Sequence, residues 1–380
     1  MTAPLAGIRI LDFTELLPGP FLTQCLVELG AEVVKVERPP AGDPVRRSSP
    51  GLFRAVNRGK SSTVIDLKSK SGVAEALQLL ETSDVLVEGF RPGVMDRLGL
   101  GYRAASSRNP RLVYLSMSGY GQTGPLTQAP GHDLNYLAQA GIISLCGRPE
   151  GPPAHAFGLP VADLGGSVYG LAAVLAALFQ RERTGRGQHL DLSLTDCLTH
   201  WLNARRGPFN HAQIDDLSTQ RRHALTRPAY GVFLCRDGAI TIAALETHFW
   251  RALVGYLGLT AFRGPEYDDL KRRSAECEAI NAAIAEALAP VSRDDAVARM
   301  LAADIPVAPV LTLREAETSE HFIARDLLSA TSAGRLVRFP VRLDGMQEAP
   351  VAAPELGNRS AVPRVQDNQT KREDKTCARA

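Results

Sequence analysis

The sequence predicts an α/β fold, with a doubly wound parallel sheet in a large domain and a smaller α+β domain after it. Three observations carry this expectation. Across residues 7–120, short runs rich in Val, Ile and Leu alternate with stretches of helical periodicity. Such runs mark strands buried on both faces and joined by helical crossovers. Residues 230–245 change character: two strand-like runs flank Arg236-Asp-Gly238, and Asp-Gly is a strong hairpin signal. Finally, 380 residues are enough for two domains, each with its own core.

Taken in order, residues 8–13 (Ile-Arg-Ile-Leu-Asp-Phe) read as the first strand and residues 20–29 as a helix closed by Gly30. Further strands fall at 32–37, 62–67, 84–90 and 112–118, with a helix over 71–80. Residues 163–183 form one long helix, Gly185-Arg-Gly-Gln188 turns the chain into a strand at 189–193, and a helix follows. Residues 207–228, with Gln220-Arg-Arg-His223, read as a polar linker. Helices at 247–257, 276–289 and 293–303 and a strand at 306–311 complete the smaller domain. The domains are therefore placed at 1–206 (large), 207–228 (linker) and 229–320 (small), with 321–357 returning to the large domain. Residues 358–380 are polar, without periodicity, and are expected to be disordered.

Composition narrows the function. A net charge of +2, from 43 basic and 41 acidic residues intermixed, gives no overall field for nucleic acid or an anionic membrane. The six cysteines are scattered and form no Cys-x-x-Cys pair, which argues against a zinc site or disulfide framework and for a reducing compartment. The N-terminus lacks the pattern of a signal peptide, and the apolar run 168–179 is too short for a membrane span, so a cytoplasmic protein is expected.

Residues 131–166 hold the most suggestive chemistry. Gly131-His-Asp-Leu-Asn-Tyr and Leu159-Pro-Val-Ala-Asp-Leu-Gly-Gly-Ser167 each place an ionisable group at a helix start, His132 and Asp163. Such a pair can serve as acid and base across a substrate. A plainer reading makes Asp133 and Asp163 helix N-caps and His132 an ordinary loop histidine. Gly119-Tyr-Gly-Gln-Thr-Gly124 matches a dinucleotide fingerprint in letters, but Pro125 and Pro130 follow where a helix must begin, so NAD and FAD are rejected. Basic residues recur at strand ends: Arg38, the block Asn57-Arg58-Gly-Lys60, and Arg91. In a parallel sheet these ends form the ligand crevice, and three basic clusters there suit a multiply phosphorylated ligand. Glu246 precedes a helix and could orient His132 if the two loops meet.

Together these blocks resemble the class III CoA-transferase family, also called CaiB/BaiF, and within it the α-methylacyl-CoA racemases. The resemblance runs over about residues 3 to 345 and rests on Leu5-Ala-Gly-Ile-Arg-Ile-Leu-Asp12, Leu29-Gly-Ala-Glu-Val-Val-Lys-Val-Glu37, Asn57-Arg-Gly-Lys60, Asp84-Val-Leu-Val-Glu-Gly-Phe-Arg-Pro-Gly93 and Thr184-Gly-Arg-Gly-Gln188. It implies a Rossmann-like large domain, an interlocked homodimer, and an acyl-CoA thioester as substrate, with no tightly bound cofactor and no metal. Asp163, His132 and Glu246 take the catalytic positions. Arg38, Asn57, Arg58, Lys60 and Arg91 lie near the CoA nucleotide and phosphates, and the helix start at Asp133 near the thioester. Because Gly-His-Asp, the Asp163 position and Glu246 are all present, the resemblance favours 1,1-proton transfer at the α-carbon of a 2-methyl-branched acyl-CoA. The alternative is a CoA-transferase working through an aspartyl-acyl anhydride on Asp163, and a third reading is a non-catalytic acyl-CoA-binding paralogue. The chain departs from the racemases at Leu225-Thr-Arg-Pro-Ala-Tyr230 and at Thr247.

Overall fold

The computed structural model describes residues 3–155, 157–331, 334–343 and 352–359. These form two compact units: one from the described residues of 1–131, 162–197 and 329–380, the other from 132–161 and 198–328.

The first unit is built on a six-stranded, wholly parallel sheet. Its strands are β1 (Arg9–Phe13), β2 (Glu32–Glu37), β3 (Ser61–Val64), β4 (Val85–Glu88), β5 (Val113–Ser118) and β6 (His189–Ser193). They lie in the order β3-β2-β1-β4-β5-β6. The apolar runs do what their composition requires: Ile10, Leu11, Val33, Val34, Val85, Leu86, Val113 and Leu115 are all 0–1% exposed, covered by helices on both faces. The strand order reverses between β1 and β4, and in open α/β sheets the ligand crevice lies beyond the carboxyl ends of such strands. Those ends carry the loops at 14–17 and 89–93. The outer edge of β3 is covered by the chain's last described segment. Arg359 N donates to Ser62 O (3.0 Å), and Ser62 N donates to Asn358 Oδ1 (2.8 Å). Asn358 and Arg359, expected in a disordered tail, are thus bound against the sheet, and residues 360–380 lie outside the described residues.

Helix Val161–Thr184 is long and apolar enough by length and composition to cross a membrane, yet half of its apolar window is buried, as in a core helix. Two of its glycines set that packing. A Cβ on Gly166 would lie 2.1 Å from Leu194 Cδ2, and one on Gly170 would lie 2.3 Å from Leu22 Cδ1. Only a bare backbone lets the helix approach so closely.

The second unit contains a three-stranded antiparallel sheet, β7 (Tyr230–Cys235), β8 (Gly238–Ala243) and β9 (Val307–Pro309), in that order. Its core joins Ile240 and Ile242 to Trp250, Ile280, Ile284, Leu288 and Met300 from the helices Thr247–Leu257, Cys277–Leu288 and Arg293–Ala302. Two expectations about domain boundaries are corrected here. Residues 132–161, expected in the large domain, cluster with the second unit. The expected linker at 207–228 is mostly helical, as Asn203–Ala212 and Leu217–Leu225. Its polarity misled because the polar residues are used structurally. Asp216 caps the second helix by accepting from Thr219 N (2.8 Å), and Arg221 is buried, donating to Ser144 O (2.6 Å) and Gly151 O (2.5 Å).

Candidate functional site

The loop after β1 is fixed by buried charge. Asp12 accepts from Thr14 N (2.9 Å), Thr23 Oγ1 (2.7 Å) and Lys60 Nζ (3.0 Å), with Asp12 and Lys60 both fully buried at their side chains. Burial alone would raise the Asp12 carboxyl, but Lys60, Lys35 and the threonine donors outweigh it and hold it far below the usual carboxylate range. Lys60 also donates to Pro20 O (2.9 Å), Thr23 Oγ1 (2.7 Å) and Asn57 Oδ1 (2.8 Å), and burial pushes its ammonium down to about 8 against the pull of Asp12. A second buried pair, Lys35 and Asp43 at 3.0 Å, sits beside it.

These contacts show what part of the expected CoA-binding set does within the protein. Lys60 and Asn57 are engaged inside the protein, Asn57 Nδ2 donating to Phe53 O (3.0 Å). Arg58 is 4% exposed and paired with Glu28 at 3.0 Å. The block Asn57-Arg-Gly-Lys60 thus braces the sheet edge, because carboxylates remote in sequence lie opposite it.

Arg38 behaves differently. Its side chain is 61% exposed, lies 3.3 Å from Glu15, and borders a cavity of about 490 Å³ with Arg47, Lys68 and the turn 39–44. Three exposed cations around one cavity can hold a ligand with several phosphate charges. Sequence reasoning missed Arg47 and Lys68. Lys68 closely follows β3, so the strand-end logic could have found it, whereas Arg47 sits in a helical turn with no such signal.

Asp163 lies in the first turn of Val161–Thr184, partly exposed. At this position a carboxylate is favoured by the helix dipole. Ser167 Oγ lies 2.7 Å from Asp163 O and 2.6 Å from Pro18 O, which ties the Asp163 turn to the same loop that Asp12 and Lys35 fix from below. Asp163 and the Arg38 cavity therefore belong to one unit and flank one loop.

Arg91 is exposed and lines a separate cavity of about 220 Å³ with Glu88, Asp96, Tyr102, Arg103, Ser116 and His189. Burial lifts the Glu88 carboxyl to about 7, against the donors Ser116 and Phe90 N (2.8 Å). Ser116 Oγ is 3.0 Å from His189 Nε2, and the His189 ring stacks on Tyr102 at 5.1 Å. This polar cluster was not singled out in the sequence.

His132, Asp133 and Glu246 lie in the second unit. His132 is the exposed N-cap of Asp133–Gln139, its N–H donating to Asn135 Oδ1 (3.0 Å) while its carbonyl accepts from Asn135 N (2.8 Å). Glu246 is the exposed N-cap of Thr247–Leu257. Beneath it the buried Arg273 donates to Leu245 O (2.8 Å) and lies over the Trp250 ring at 5.3 Å, so the Glu246 turn is held from inside. Among the described residues no group of three or more His, Cys, Asp or Glu is placed to hold a metal ion.

Comparison with known proteins extends these observations. An acetyl-CoA:oxalate CoA-transferase of Acetobacter aceti is 35% identical over 377 residues, covering 94% of both chains. A succinyl-CoA–L-malate CoA-transferase alpha subunit of Chloroflexus aurantiacus is 31% identical, covering 93% of this chain and 85% of its own. A solved CaiB/BaiF family protein from Brucella suis superposes with a TM-score of 0.83 at 29% identity, covering 94% of this chain and 97% of its own. The sequence profile of CoA-transferase family III matches residues 5–360. With a parallel-sheet unit, a basic cavity beyond its strand ends and this match along nearly the whole length, the chain belongs to CoA-transferase family III.

Proposed function

We propose that the protein transfers CoA from an acyl-CoA thioester to a carboxylic acid, with Asp163 as nucleophile. The observation that carries this reading is the shared loop: the Asp163 turn contacts residues 14–18 through Ser167 and Pro18, and the three-cation cavity contacts them through Arg38 with Glu15 and Asp43 with Leu16, within one unit. A ligand whose phosphates sit at Arg38, Arg47 and Lys68 and whose thioester extends along the strand ends is directed toward a helix-start carboxylate. The relatives named as CoA-transferases support the same reading over the racemase that the catalytic motif alone favoured.

In this reaction an Asp163 oxygen attacks the thioester carbonyl, the C–S bond breaks, and CoA leaves as thiolate, giving an aspartyl-acyl anhydride. Attack of the thiolate on the aspartyl side then releases the first acid and leaves an aspartyl-CoA thioester. The acceptor carboxylate attacks that thioester, and returning CoA takes the new acyl group. No proton is lost from carbon, so neither His132 nor Glu246 is required by the bond changes.

The test uses acetyl-CoA or succinyl-CoA with oxalate, malate and glutarate, the acids named among the relatives. New thioester should form, and hydroxylamine added during turnover should trap Asp163 as a hydroxamate. Asp163→Asn should lower turnover on the order of 10³-fold or more. Transfer that survives this substitution would sink the proposal. The racemase reading keeps one specific support, the presence of His132 and Glu246, each exposed at a helix N-cap in the second unit. Deuterium uptake at the α-carbon of a 2-methylacyl-CoA without acceptor, lost in His132→Ala, would establish it instead.

A further inference from the structure

We infer that Glu15 is a specificity-determining residue, whose carboxylate occupies Arg38 at the rim of the basic cavity and weakens that cavity's hold on ligands carrying an extra phosphomonoester. The inference deepens the proposed function and rests on it, since the ligand is a CoA ester seated by the Arg38 cavity.

Three carboxylates stand near this rim, and two are neutralised internally. Glu37 takes two bonds from Arg46 (2.8 and 2.7 Å), one from Ser62 Oγ (2.6 Å) and one from Asp43 N (2.9 Å). Asp43 is fully buried against Lys35, and its Oδ1 accepts from Val45 N (3.0 Å) and Leu16 N (3.3 Å). Glu15 alone of the three faces outward, its side chain 34% exposed and its ion partner the 61% exposed Arg38.

The backbone keeps it there. Lys35 Nζ donates to Thr14 O (2.7 Å) on one side of Glu15, and Asp43 accepts from Leu16 N on the other. The buried Lys35–Asp43 pair thus brackets this one residue. Leu16 adopts a φ of +69°, a left-handed conformation that a leucine rarely takes, so surrounding contacts impose the turn. Below it, Gly19 leaves room for Thr14, since a Cβ there would lie 2.3 Å from the threonine side chain. A glutamate on a free surface loop can move away with its backbone when an anion arrives, whereas the backbone of Glu15 is fixed on both sides and keeps its carboxylate within reach of Arg38.

A phosphate approaching Arg38 therefore meets a carboxylate already in place. Repulsion grows with ligand charge, so a dianionic phosphomonoester suffers more than the singly charged groups of a diphosphate diester. The wild-type rim should discriminate only weakly between CoA and dephospho-CoA, which differ by that phosphomonoester.

The experiment titrates the full-length protein with CoA and with dephospho-CoA by calorimetry at low salt, for wild type, Glu15→Gln, Glu15→Ala and Arg38→Ala. Removing the carboxylate should tighten CoA binding about two- to five-fold, the range of an exposed charge pair, and dephospho-CoA less, so the affinity ratio widens. The alanine variant should shift the ratio in the same direction. If Arg38→Ala weakens CoA binding but both Glu15 variants leave the ratio unchanged, the Glu15 inference is overturned and the cavity assignment survives. If Arg38→Ala changes neither ligand's affinity, the cavity assignment itself fails, and the inference falls with it.

Discussion

Replacing Lys60 by Met separates a structural lysine from a ligand-binding one. Lys60 Nζ has four oxygen partners at 2.7–3.0 Å and no exposed side-chain surface, and it is the closest ion partner of the equally buried Asp12. Methionine fills similar volume but leaves that carboxylate without its main countercharge. Breaking one side of a buried pair costs about 3–5 kcal/mol. At about 2–4 °C per kcal/mol for a domain of this size, the melting temperature should fall by roughly 6–20 °C. Adding Asp12→Asn should recover much of the loss, because the amide needs no countercharge, its oxygen still accepts from Thr14, and its NH2 can donate to the Thr23 hydroxyl. The assay is thermal unfolding followed by circular dichroism, with CoA affinity measured by calorimetry at a temperature where every variant is folded. Affinity should stay within about two-fold of wild type, since the ammonium does not reach solvent. A Lys60→Met protein that melts within about 1 °C of wild type yet binds CoA ten-fold more weakly would refute the reasoning and return Lys60 to the ligand site.

Two further outcomes concern Glu88 and Gly187. The Glu88 carboxyl, lifted by burial from 4.5 to about 7, binds its proton more tightly folded than unfolded. Its contribution is therefore most favourable below pH 4.5 and is lost as pH rises through 7, by up to about 3 kcal/mol. Urea unfolding across this window should show Glu88→Gln flattening the decline, and an unchanged pH slope would contradict the assignment. Gly187 brings the chain into β6 with its N–H bonded to Pro110 O (2.9 Å), and a Cβ there would lie 1.9 Å from Leu112 O. Gly187→Ala should cost on the order of 2–3 kcal/mol in denaturant unfolding, because a carbonyl of the neighbouring chain segment cannot step aside as a side-chain tip can.

The large sheet was legible in the sequence because a strand buried on both faces must be apolar at nearly every position, which leaves a continuous run instead of an alternation. All six runs read from it, at 8–13, 32–37, 62–67, 84–90, 112–118 and 189–193, correspond to β1–β6. Asp237-Gly238 likewise marked the turn between β7 and β8. Charged residues were read less well, since a side chain's sign does not reveal what faces it. Arg38, Lys60 and Arg91 looked alike as basic residues near strand ends. Only folding shows that Lys60 turns inward to an aspartate 48 positions earlier while Arg38 and Arg91 stay exposed. The segment 207–228 failed for a related reason: Arg221 satisfies loop carbonyls from inside, so polarity there signalled burial and not a linker. His132 and Asp163, adjacent in the reading of residues 131–166, belong to different compact units, a division that no local periodicity encodes.

The strip of chain along the outer edge of β3 has a consequence for synthesis. The first five strands are complete by residue 118, but β6 arrives only at 189–193, and the edge of β3 is not covered until residues 357–359. A nascent chain therefore carries an open-edged parallel sheet while the whole second unit is being made. Exposed strand edges are templates for unwanted pairing, and pairing across so many residues closes slowly. The hazard lasts until residues 357–359 emerge, so chaperone dependence and losses to aggregation should be decided late in translation.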